Sequence, residues 1–306
     1  MVLDDPRNLI GLEGLPAEEL RRILDHARAL RAGRDGTELA GRIVANLFFE
    51  DSTRTRCSFE TAAVRLGAHV LNLSAKGSSA SKGESLVDTA LNIQAMGVDA
   101  IVVRTSASGG PALIAEACST PVVNAGDGRH EHPTQALLDL CVLEDRLGSL
   151  SGRKIAIVGD ILNSRVARSN LHGLTALGAQ VVLVGPPTLV DESFIGMVPA
   201  ISGSVEVSHD LDAVIEEVDA IMMLRIQRER ASGGLISSDY RRMYGMTTTR
   251  AARLRPEQCV LHPGPVNRGV ELDGAVLDDP EHSVVLDQVA AGVWVRAAVL
   301  MRAMPS

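Results

Sequence analysis

Residues 43–66 read IVANLFFEDSTRTRCSFETAAVRL, and this stretch decides the fold class. The mainly apolar run Ile43 to Phe49 predicts a buried strand. Hydroxyl and arginine residues follow at once and open a helix predicted over residues 53–66. The same alternation of strand and helix continues along the chain, and near-continuous apolar strands are typical of parallel sheets covered on both faces. The sequence therefore predicts an α/β fold.

The alternation can be followed through most of the sequence. Strands are predicted at residues 43–49, 69–73, 100–103, 122–124, 154–158, 180–184, 220–224 and 259–261. Helices are predicted near residues 16–32, 53–66, 84–96, 110–117, 133–147, 164–177, 190–200 and 211–217. A length of 306 residues suggests two domains of ordinary size.

The domain boundary is predicted at the break in residues 147–152, where a long helix ends and a new strand–turn–helix unit begins. We expect residues 1–148 and 149–282 to form the two domains, each a parallel sheet flanked by helices. Residues 283–306 are rich in Val, Ala and Leu and have a narrow polar face. They predict a C-terminal helix that completes the first domain and packs between the domains.

Composition excludes several classes of protein. The chain carries 30 Lys and Arg against 38 Asp and Glu, with 2% aromatic residues, so we expect no nucleic-acid partner. Its apolar runs are shorter than the roughly 18 residues of a membrane span, and the first residues do not resemble a signal peptide. The four cysteines form no C-x-x-C pair, which indicates free thiols in a reducing cytoplasm.

The junction Ser52-Thr53-Arg54-Thr55 is the first candidate site. Free backbone N–H groups and the helix dipole attract anions to a helix start, and arginine offers a two-pronged contact to phosphate. The alternative is an ordinary N-cap with solvated arginines. The sequence contains no G-x-x-x-x-G-K-[ST] loop, so a nucleotide-type phosphate loop is excluded.

Two further candidates belong to the first predicted domain. A loop of small residues, 78–84, carries Ser78 and Lys82 and could place an ammonium group on a phosphate; an ordinary surface loop is the alternative. The second is His132-Pro133-x-Gln135, a helix start whose histidine could donate to a carbonyl oxygen. His130 and His132 lack an evident third ligand, so no metal site is predicted.

Three candidates follow predicted strands of the second domain. They are Arg165 after the first strand, Arg225 with Gln227 after a later one, and His262-Pro263-Gly264-Pro265 after the last. Each is weak alone. Ligands of open α/β sheets bind at the carboxyl ends of the strands, however, and all these motifs lie there.

Taken together and in this order, the motifs resemble the aspartate and ornithine carbamoyltransferase superfamily, and the resemblance covers nearly the whole chain. The pair formed by residues 52–56 and His132-Pro133-x-Gln135 is highly specific. The resemblance implies that the first domain binds carbamoyl phosphate and the second binds the amino acceptor. It implies no metal and no cofactor.

The resemblance also implies roles for the residues. The groups expected to act on the reacting carbamoyl phosphate are Arg54, Thr55, Arg104 and His132. Further contacts to carbamoyl phosphate are expected from Ser52, Thr53, Gln135, Pro263, Gly264, Ser78 and Lys82. Contacts to aspartate are expected from Lys82, Arg165, Arg225, Gln227, Gly264 and Pro265. Ser78 and Lys82 are expected to reach in from a neighbouring subunit of a homotrimer.

Within the superfamily the aspartate branch is indicated. Ornithine enzymes carry a cysteine after the histidine of the last loop, where this sequence has Pro263, and residues 225–230 also look like the aspartate branch. The implied reaction transfers the carbamoyl group to the amine of L-aspartate, a step of pyrimidine biosynthesis. The alternatives are a carbamoyltransferase for another amino acid such as ornithine, or a non-catalytic assembly partner. Regulatory or dihydroorotase-type chains are possible partners.

Overall fold

A computed structural model of the chain describes residues 5–33, 36–74, 83–198, 203–226 and 238–305. Two compact units make up the chain. The first unit contains residues 1–138 and 289–306, and the second unit contains residues 139–288. The division differs from the predicted boundary between residues 148 and 149, which stays a prediction.

The first unit is built on a parallel sheet in the order β2-β1-β3-β4. Its strands are β1 (Ile43–Phe48), β2 (His69–Ser74), β3 (Ala100–Thr105) and β4 (Val122–Asp127). Its helices are α1 (Ala17–Arg31), α2 (Thr53–Arg65), α3 (Leu86–Ala95) and α4 (Gly110–Ala117). Every residue of β3 and β4 is buried, which explains their continuous apolar character in the sequence.

Helix α1 shows why these segments are helical. Its buried residues recur at the spacing of one helix face: Leu20, Ile23, Leu24, Ala27 and Leu30. Acidic residues occupy its first turn and arginines its last turn, which complements the helix dipole. The apolar face of α1 is therefore buried, and its polar face carries the charges.

A segment near the N-terminus runs beside β4, the edge strand of the first sheet. The Leu9 N–H donates to the Val122 carbonyl at 2.9 Å, and the Asn124 N–H donates to the Leu9 carbonyl at 2.8 Å. The Asn8 side chain accepts from the Val122 N–H at 2.8 Å. The segment therefore satisfies backbone groups that an exposed sheet edge would leave unpaired.

The second unit is built on a parallel sheet in the order β7-β6-β5-β8-β9. Its strands are β5 (Lys154–Val158), β6 (Gln180–Val184), β7 (Ser204–Ser208), β8 (Ala220–Met223) and β9 (Cys259–Leu261). Between α4 and β5 lies α5 (Pro133–Leu147), which begins in the first unit and ends in the second. The later helices are α6 (Arg165–Ala176), α7 (Leu211–Val214), α8 (Ser238–Tyr244), α9 (Thr248–Ala251), α10 (Gly274–Leu277) and α11 (Val285–Ala303).

The C-terminal helix α11 starts in the second unit and continues into the first. Within the first unit, Arg302 forms an ion pair with Glu19 at 2.6 Å and donates to the Asn8 carbonyl at 3.0 Å. The Arg296 guanidinium lies over the Phe59 ring, 5.2 Å from its centroid. Residues near both ends of the chain are thus held together in the first unit.

The predicted α/β class, with parallel sheets flanked by helices, is confirmed. Strand β7 was missed because its residues are at most half-buried, so its sequence lacks an apolar run. The helix predicted near 190–200 is a 3-10 helix at Glu192–Met197. The short helices α8, α9 and α10 were also missed. Among the described residues, no helix has the length and hydropathy needed to cross a bilayer.

Candidate functional site

In the first sheet the candidate residues flank the point where the strand order reverses. The chain leaves β1 toward β2 on one side and leaves β3 toward β4 on the other. Crevices at such reversal points, at the carboxyl ends of the strands, bind ligands in open α/β sheets. Residues 52–55 follow β1, and Arg104 is the penultimate residue of β3.

The start of α2 has the features of an anion site. Ser52 is the N-cap residue with an extended backbone, and its side chain makes no capping hydrogen bond. The first turn contains no acidic residue, although acidic side chains are favoured at that position, and it carries Arg54 instead. Thr53 and Arg54 are exposed, whereas Thr55 is buried. Backbone N–H groups, hydroxyls and a guanidinium therefore gather at one helix start.

Arg104 is tied directly to the loop that precedes α2. Its guanidinium donates to the Glu50 carboxylate at 2.7 Å and to the Ala125 carbonyl at 3.2 Å. Its own carbonyl accepts from the Phe49 N–H at 2.8 Å. The pairing of β3 with β4 shifts register between Val103 and Thr105, so Arg104 sits at an irregularity of the kind that redirects a side chain. The structure thus brings Arg104 close to the loop before α2.

His132 and Gln135 lie at the start of α5, just after β4. The His132 carbonyl accepts from the Gln135 N–H at 3.0 Å, so the two residues form the first turn together. Both side chains are buried. Since β4 pairs with β3, this turn belongs to the same end of the sheet as Arg104.

Asp127, the last residue of β4, holds the loop that leads into α5. Its buried carboxylate accepts four hydrogen bonds. One oxygen accepts from the Gly109 N–H at 2.7 Å and from His130 Nδ1 at 3.1 Å. The other accepts from Asn124 Nδ2 at 2.9 Å and from the Glu131 N–H at 3.0 Å. Asp127 was not predicted as a functional residue, and the only local signal for it is its place between two glycines.

The ionisation of this loop follows from these contacts. Burial opposes the charge on Asp127, but hydrogen bonds from His130, Gly109, Asn124 and Glu131 outweigh it and lower the pKa of the carboxyl. The hydrogen bond with Asp127 raises the pKa of His130. His130 therefore serves the loop structure as the partner of Asp127.

Replacing Asp127 with asparagine should destabilise the first unit by about 1–3 kcal/mol at neutral pH, because an amide nitrogen cannot accept hydrogen bonds. The lowered pKa makes the carboxylate stabilising above the ordinary value of about 3.9, and this stability is lost as pH falls through the folded-state pKa. The difference between wild type and variant should thus shrink below about pH 4.

Urea unfolding at several pH values measures this effect. Asp25→Asn is the matched control, because Asp25 is exposed and its ion pair with Arg28 lies at the surface. It should change the free energy of unfolding by less than about 1 kcal/mol. Equal stability of wild type and Asp127→Asn at neutral pH would contradict the assigned role of Asp127.

In the second sheet the candidate arginines also flank the reversal of strand order. That reversal lies between β5 and β8. Arg165 is the first residue of α6, the helix that follows β5, and Arg225 lies two residues beyond the end of β8. Both side chains are half-buried. The structure therefore places the two arginines after adjacent parallel strands.

The turn between β5 and α6 is fixed locally. The Asp160 carboxylate accepts from the Asn163 N–H at 3.2 Å and from its side-chain amide at 2.8 Å. The Ser164 hydroxyl caps α6 by accepting from the Ala167 N–H at 3.1 Å. These contacts set where the helix begins and hence where Arg165 stands.

Gly159 precedes this turn, and a larger residue at this position would strain the backbone. Its φ of +135° is one that side chains rarely adopt. A Cβ atom there would lie 3.1 Å from Leu224 Cβ and 3.2 Å from the Tyr240 hydroxyl. Close approach of the segments after β5 and β8 thus depends on glycine.

The loop Pro263 to Pro265 follows β9, which pairs with β8. Pro263 and Gly264 are half-buried, Pro265 is exposed, and the peptide between Gly264 and Pro265 is cis. All three residues belong to the second unit. The predicted site residues of this unit therefore follow three neighbouring strands.

Both units match models of known protein domains. Residues 7–145 match the aspartate/ornithine carbamoyltransferase, carbamoyl-P binding domain, and residues 151–303 match the Asp/Orn binding domain of the same proteins. The chain belongs to the aspartate/ornithine carbamoyltransferase family. The resemblance drawn from the motifs is thereby confirmed.

Individual carbamoyltransferases are similar over nearly their full length. The aspartate carbamoyltransferase catalytic subunit of Myxococcus xanthus is 53% identical, over 96% of this chain and 98% of the relative. The corresponding subunit of Salinispora arenicola is also 53% identical, over 96% of both chains.

Solved structures of carbamoyltransferases share the architecture. The aspartate transcarbamoylase of Trypanosoma cruzi, in complex with carbamoyl aspartate and phosphate, has a TM-score of 0.86 at 30% identity, covering 96% of this chain and 94% of that one. The ornithine carbamoyltransferase of Pyrococcus furiosus has a TM-score of 0.87 at 30% identity, covering 97% and 96%. Backbone similarity alone therefore does not separate the two acceptors.

Three residues that the carbamoyltransferase resemblance assigns to the site, Ser78, Lys82 and Gln227, lie outside the described residues. The other predicted residues fall into a first-unit group and a second-unit group. Their roles toward substrates remain predictions.

Proposed function

We propose that this protein is the catalytic chain of an aspartate carbamoyltransferase. It transfers the carbamoyl group of carbamoyl phosphate to the amine of L-aspartate and releases phosphate and N-carbamoyl-L-aspartate, a step of pyrimidine biosynthesis. The observation that carries the proposal is the near full-length similarity to catalytic subunits of that name. The anion site at the start of α2 supports it independently.

The first-unit residues suit the carbamoyl phosphate half of the reaction. We assign the phosphate to the start of α2, with Ser52, Thr53, Arg54 and Thr55 as donors. The reaction places negative charge on the carbonyl oxygen, and donors held in advance stabilise it most effectively. We assign that oxygen to Thr55, Arg104 and His132, because the Glu50 and Ala125 contacts hold Arg104 and Asp127 holds the loop before His132.

The second-unit residues suit the acceptor. Aspartate carries two carboxylates, and guanidinium groups bind carboxylates with two parallel hydrogen bonds. We assign them to Arg165 and Arg225, with Gln227 and Lys82 as further contacts. The backbone of residues 263–265 is assigned to the carbamoyl amide and to aspartate, together with Gln135. Alignment of two bound reactants can supply about 7–11 kcal/mol of the rate enhancement.

An acceptor assay tests the proposed function. Purified protein is given carbamoyl phosphate with either L-aspartate or L-ornithine, and phosphate and the carbamoylated product are measured. We expect product with aspartate and none above background with ornithine. Phosphate release without an acceptor product, or preference for ornithine, would contradict the proposal.

Replacing Arg225 with alanine should raise the KM for aspartate and lower kcat. Loss of one charge-assisted pair to a carboxylate costs about 1.5–3 kcal/mol, or roughly 10-fold to 150-fold in kcat/KM. Carbamoyl phosphate affinity measured by calorimetry should scarcely change.

Arg242→Ala is the matched control for Arg225→Ala. Arg242 lies in α8 of the same unit and forms an exposed ion pair with Asp239, so its loss should leave both substrates unaffected. An unchanged aspartate KM in Arg225→Ala would remove Arg225 from the acceptor site.

We further propose a cytoplasmic homotrimer whose sites are shared, with Lys82 donated by a neighbouring chain. Regulatory or dihydroorotase-type chains are candidate partners.

A subunit-mixing experiment tests the shared site. Arg54→Ala and Lys82→Ala chains, each expected to be inactive alone, are mixed, dissociated and reassociated. In cyclic trimers about three quarters of the assemblies are mixed, and each mixed trimer has one intact site, so about a quarter of all sites should recover. Background activity despite hybrid trimers in native mass spectrometry would contradict sharing.

A further inference from the structure

His262 is a fully buried histidine that has no role in the proposed mechanism. It follows β9 directly and precedes Pro263 and Gly264, whose backbone is assigned to substrate. Its side chain and its backbone are both held by polar partners inside the second unit. A buried polar network is costly unless every member is satisfied, so its arrangement calls for a reason.

The contacts of the ring fix its tautomer. The Gly264 N–H, which can only donate, lies 2.8 Å from His262 Nδ1. Nδ1 therefore accepts, and the proton of the neutral ring is on Nε2. That nitrogen lies 3.2 Å from Glu271 Oε1 and donates to it. The ring thus links the Gly264 backbone to a buried carboxylate.

The Glu271 carboxylate accepts hydrogen bonds from the His262 ring and from Asn267. Besides His262, its carboxylate accepts from the Asn267 N–H at 2.6 Å and from the Asn267 side-chain amide at 3.2 Å. The same amide donates to the Ile226 carbonyl at 3.2 Å. Glu271 thereby connects His262 to the segment that follows Arg225.

A second set of contacts holds the His262 backbone. Its N–H donates to Gln288 Oε1 at 2.9 Å, and Gln288 Nε2 donates to Asp139 Oδ1 at 2.7 Å. The other Asp139 oxygen accepts from Asn170 Nδ2 at 2.8 Å. All of these side chains are buried. His262 is therefore fixed through its backbone by α5, α6 and α11.

We propose that His262 is a positioning residue that holds the backbone of Pro263 and Gly264 in the conformation that binds substrate. The identity of that substrate rests on the proposed function. Nδ1 acts as the acceptor that fixes the Gly264 N–H, and Glu271 selects the tautomer with the hydrogen on Nε2 by accepting a hydrogen bond from that nitrogen. Gln288 and Asp139 anchor the residue from which the loop departs.

Two substitutions at His262 separate the acceptor from the ring. Asparagine can place Oδ1 on the N–H two residues ahead, as in an Asx-turn, whereas phenylalanine fills the space of the ring without any acceptor. Glu271→Gln keeps the size of the partner but removes one acceptor oxygen. Arg268→Gln is the control, because Arg268 is exposed and its partners among the described residues are Asp278 and the Gly274 carbonyl.

The readouts are kcat, both KM values, the thermal unfolding midpoint and the calorimetric affinity for a substrate analogue. The analogue is N-(phosphonacetyl)-L-aspartic acid, which is bound in a structure of the Trypanosoma cruzi aspartate transcarbamoylase. We expect His262→Asn to bind this analogue within about threefold of wild type and His262→Phe to bind it at least about tenfold more weakly. Glu271→Gln should fall between them, and Arg268→Gln should match wild type. If His262→Phe does not fold, Glu271→Gln decides the question by the same comparison with Arg268→Gln.

Equal affinity in the phenylalanine and asparagine variants, whether both are normal or both are weak, would overturn the role of Nδ1. If wild type neither binds the analogue nor turns over, the proposed function fails instead. Hydrogen exchange of the Gly264 amide then tests the positioning by itself. Faster exchange in His262→Phe than in His262→Asn supports it, and equal rates overturn it.

Discussion

Arg54→Ala should remove nearly all carbamoyl transfer while leaving the protein folded. Arg54 is exposed in the first turn of α2, so we expect the fold to tolerate the loss of its side chain. Its proposed partner is a phosphate removed from water, and loss of such a charge-assisted contact costs roughly 2–5 kcal/mol. This corresponds to a loss of about 30-fold to several thousand-fold in kcat/KM.

Arg56→Ala provides the control for Arg54→Ala. It removes the same charge from the same helix, but Arg56 is not assigned to the phosphate. Steady-state kinetics and calorimetric titration with carbamoyl phosphate compare the two variants, and circular dichroism checks the fold. Near-normal turnover of Arg54→Ala at saturating carbamoyl phosphate, or an equal loss in both variants, would contradict the assignment.

The second large effect concerns the stability of the second unit. Arg250 is buried and bonds both oxygens of Asp212, at 2.9 and 2.7 Å. It also donates to the carbonyls of Arg242, Met243 and Gly245 at 2.9, 3.1 and 2.7 Å. These carbonyls lie at the end of α8, where a helix leaves its last acceptors unpaired. Arg250→Ala should therefore lower the free energy of unfolding by about 2–4 kcal/mol.

Arg253→Ala is a closely matched control, since Arg253 also pairs with Asp212 but is more than a third exposed. Its pairs with Asp212 and Glu216 lie at the surface, and we expect a much smaller loss than for Arg250→Ala. Urea unfolding followed by far-ultraviolet circular dichroism measures both. Equal losses in the two variants would show that burial of Arg250 adds nothing.

Much of the fold could be predicted because strands buried on both faces leave long apolar runs in the sequence. The strand β1 and the helix start after it are the clearest example, and both occur as predicted. Strand β7 was missed because its side chains are only partly buried, so tertiary position and not composition makes it a strand. Helices α9 and α10 have four residues each, too few to show a period.

The loops that form the candidate site could be predicted from the sequence, but the arrangement of their residues in space could not. Residues 52–55 and His132 were identified from strand ends and Arg104 from the family resemblance, yet nothing local indicates the register shift at Arg104. Asp127 accepts from Gly109, and His262 is anchored by Gln288, contacts between residues 18 and 26 positions apart. A sequence pattern records neighbours along the chain, whereas these contacts depend on how the chain returns to itself.

The choice between acceptors rested on Pro263 and on the short run of residues 225–230. Pro263 stands where ornithine enzymes carry cysteine, and this difference indicated the aspartate branch. The fold could not add to it, because the architecture is common to both branches. Membership of the family is confirmed, and the individual roles of the site residues are the part that mutagenesis decides.

The division of the first unit between residues 1–138 and 289–306 has a consequence for the order in which the protein forms on the ribosome. Domains usually mature in the order of their synthesis, at about 5–20 residues per second. Here the first unit lacks Arg302, Arg296 and the rest of α11 while roughly 150 further residues are made, a delay of about 8–30 seconds. The second unit is a single continuous segment that ends at Gln288. It can therefore fold while the first unit still exposes the surface that α11 will cover. During this delay the nascent first unit thus exposes apolar surface to which chaperones can bind.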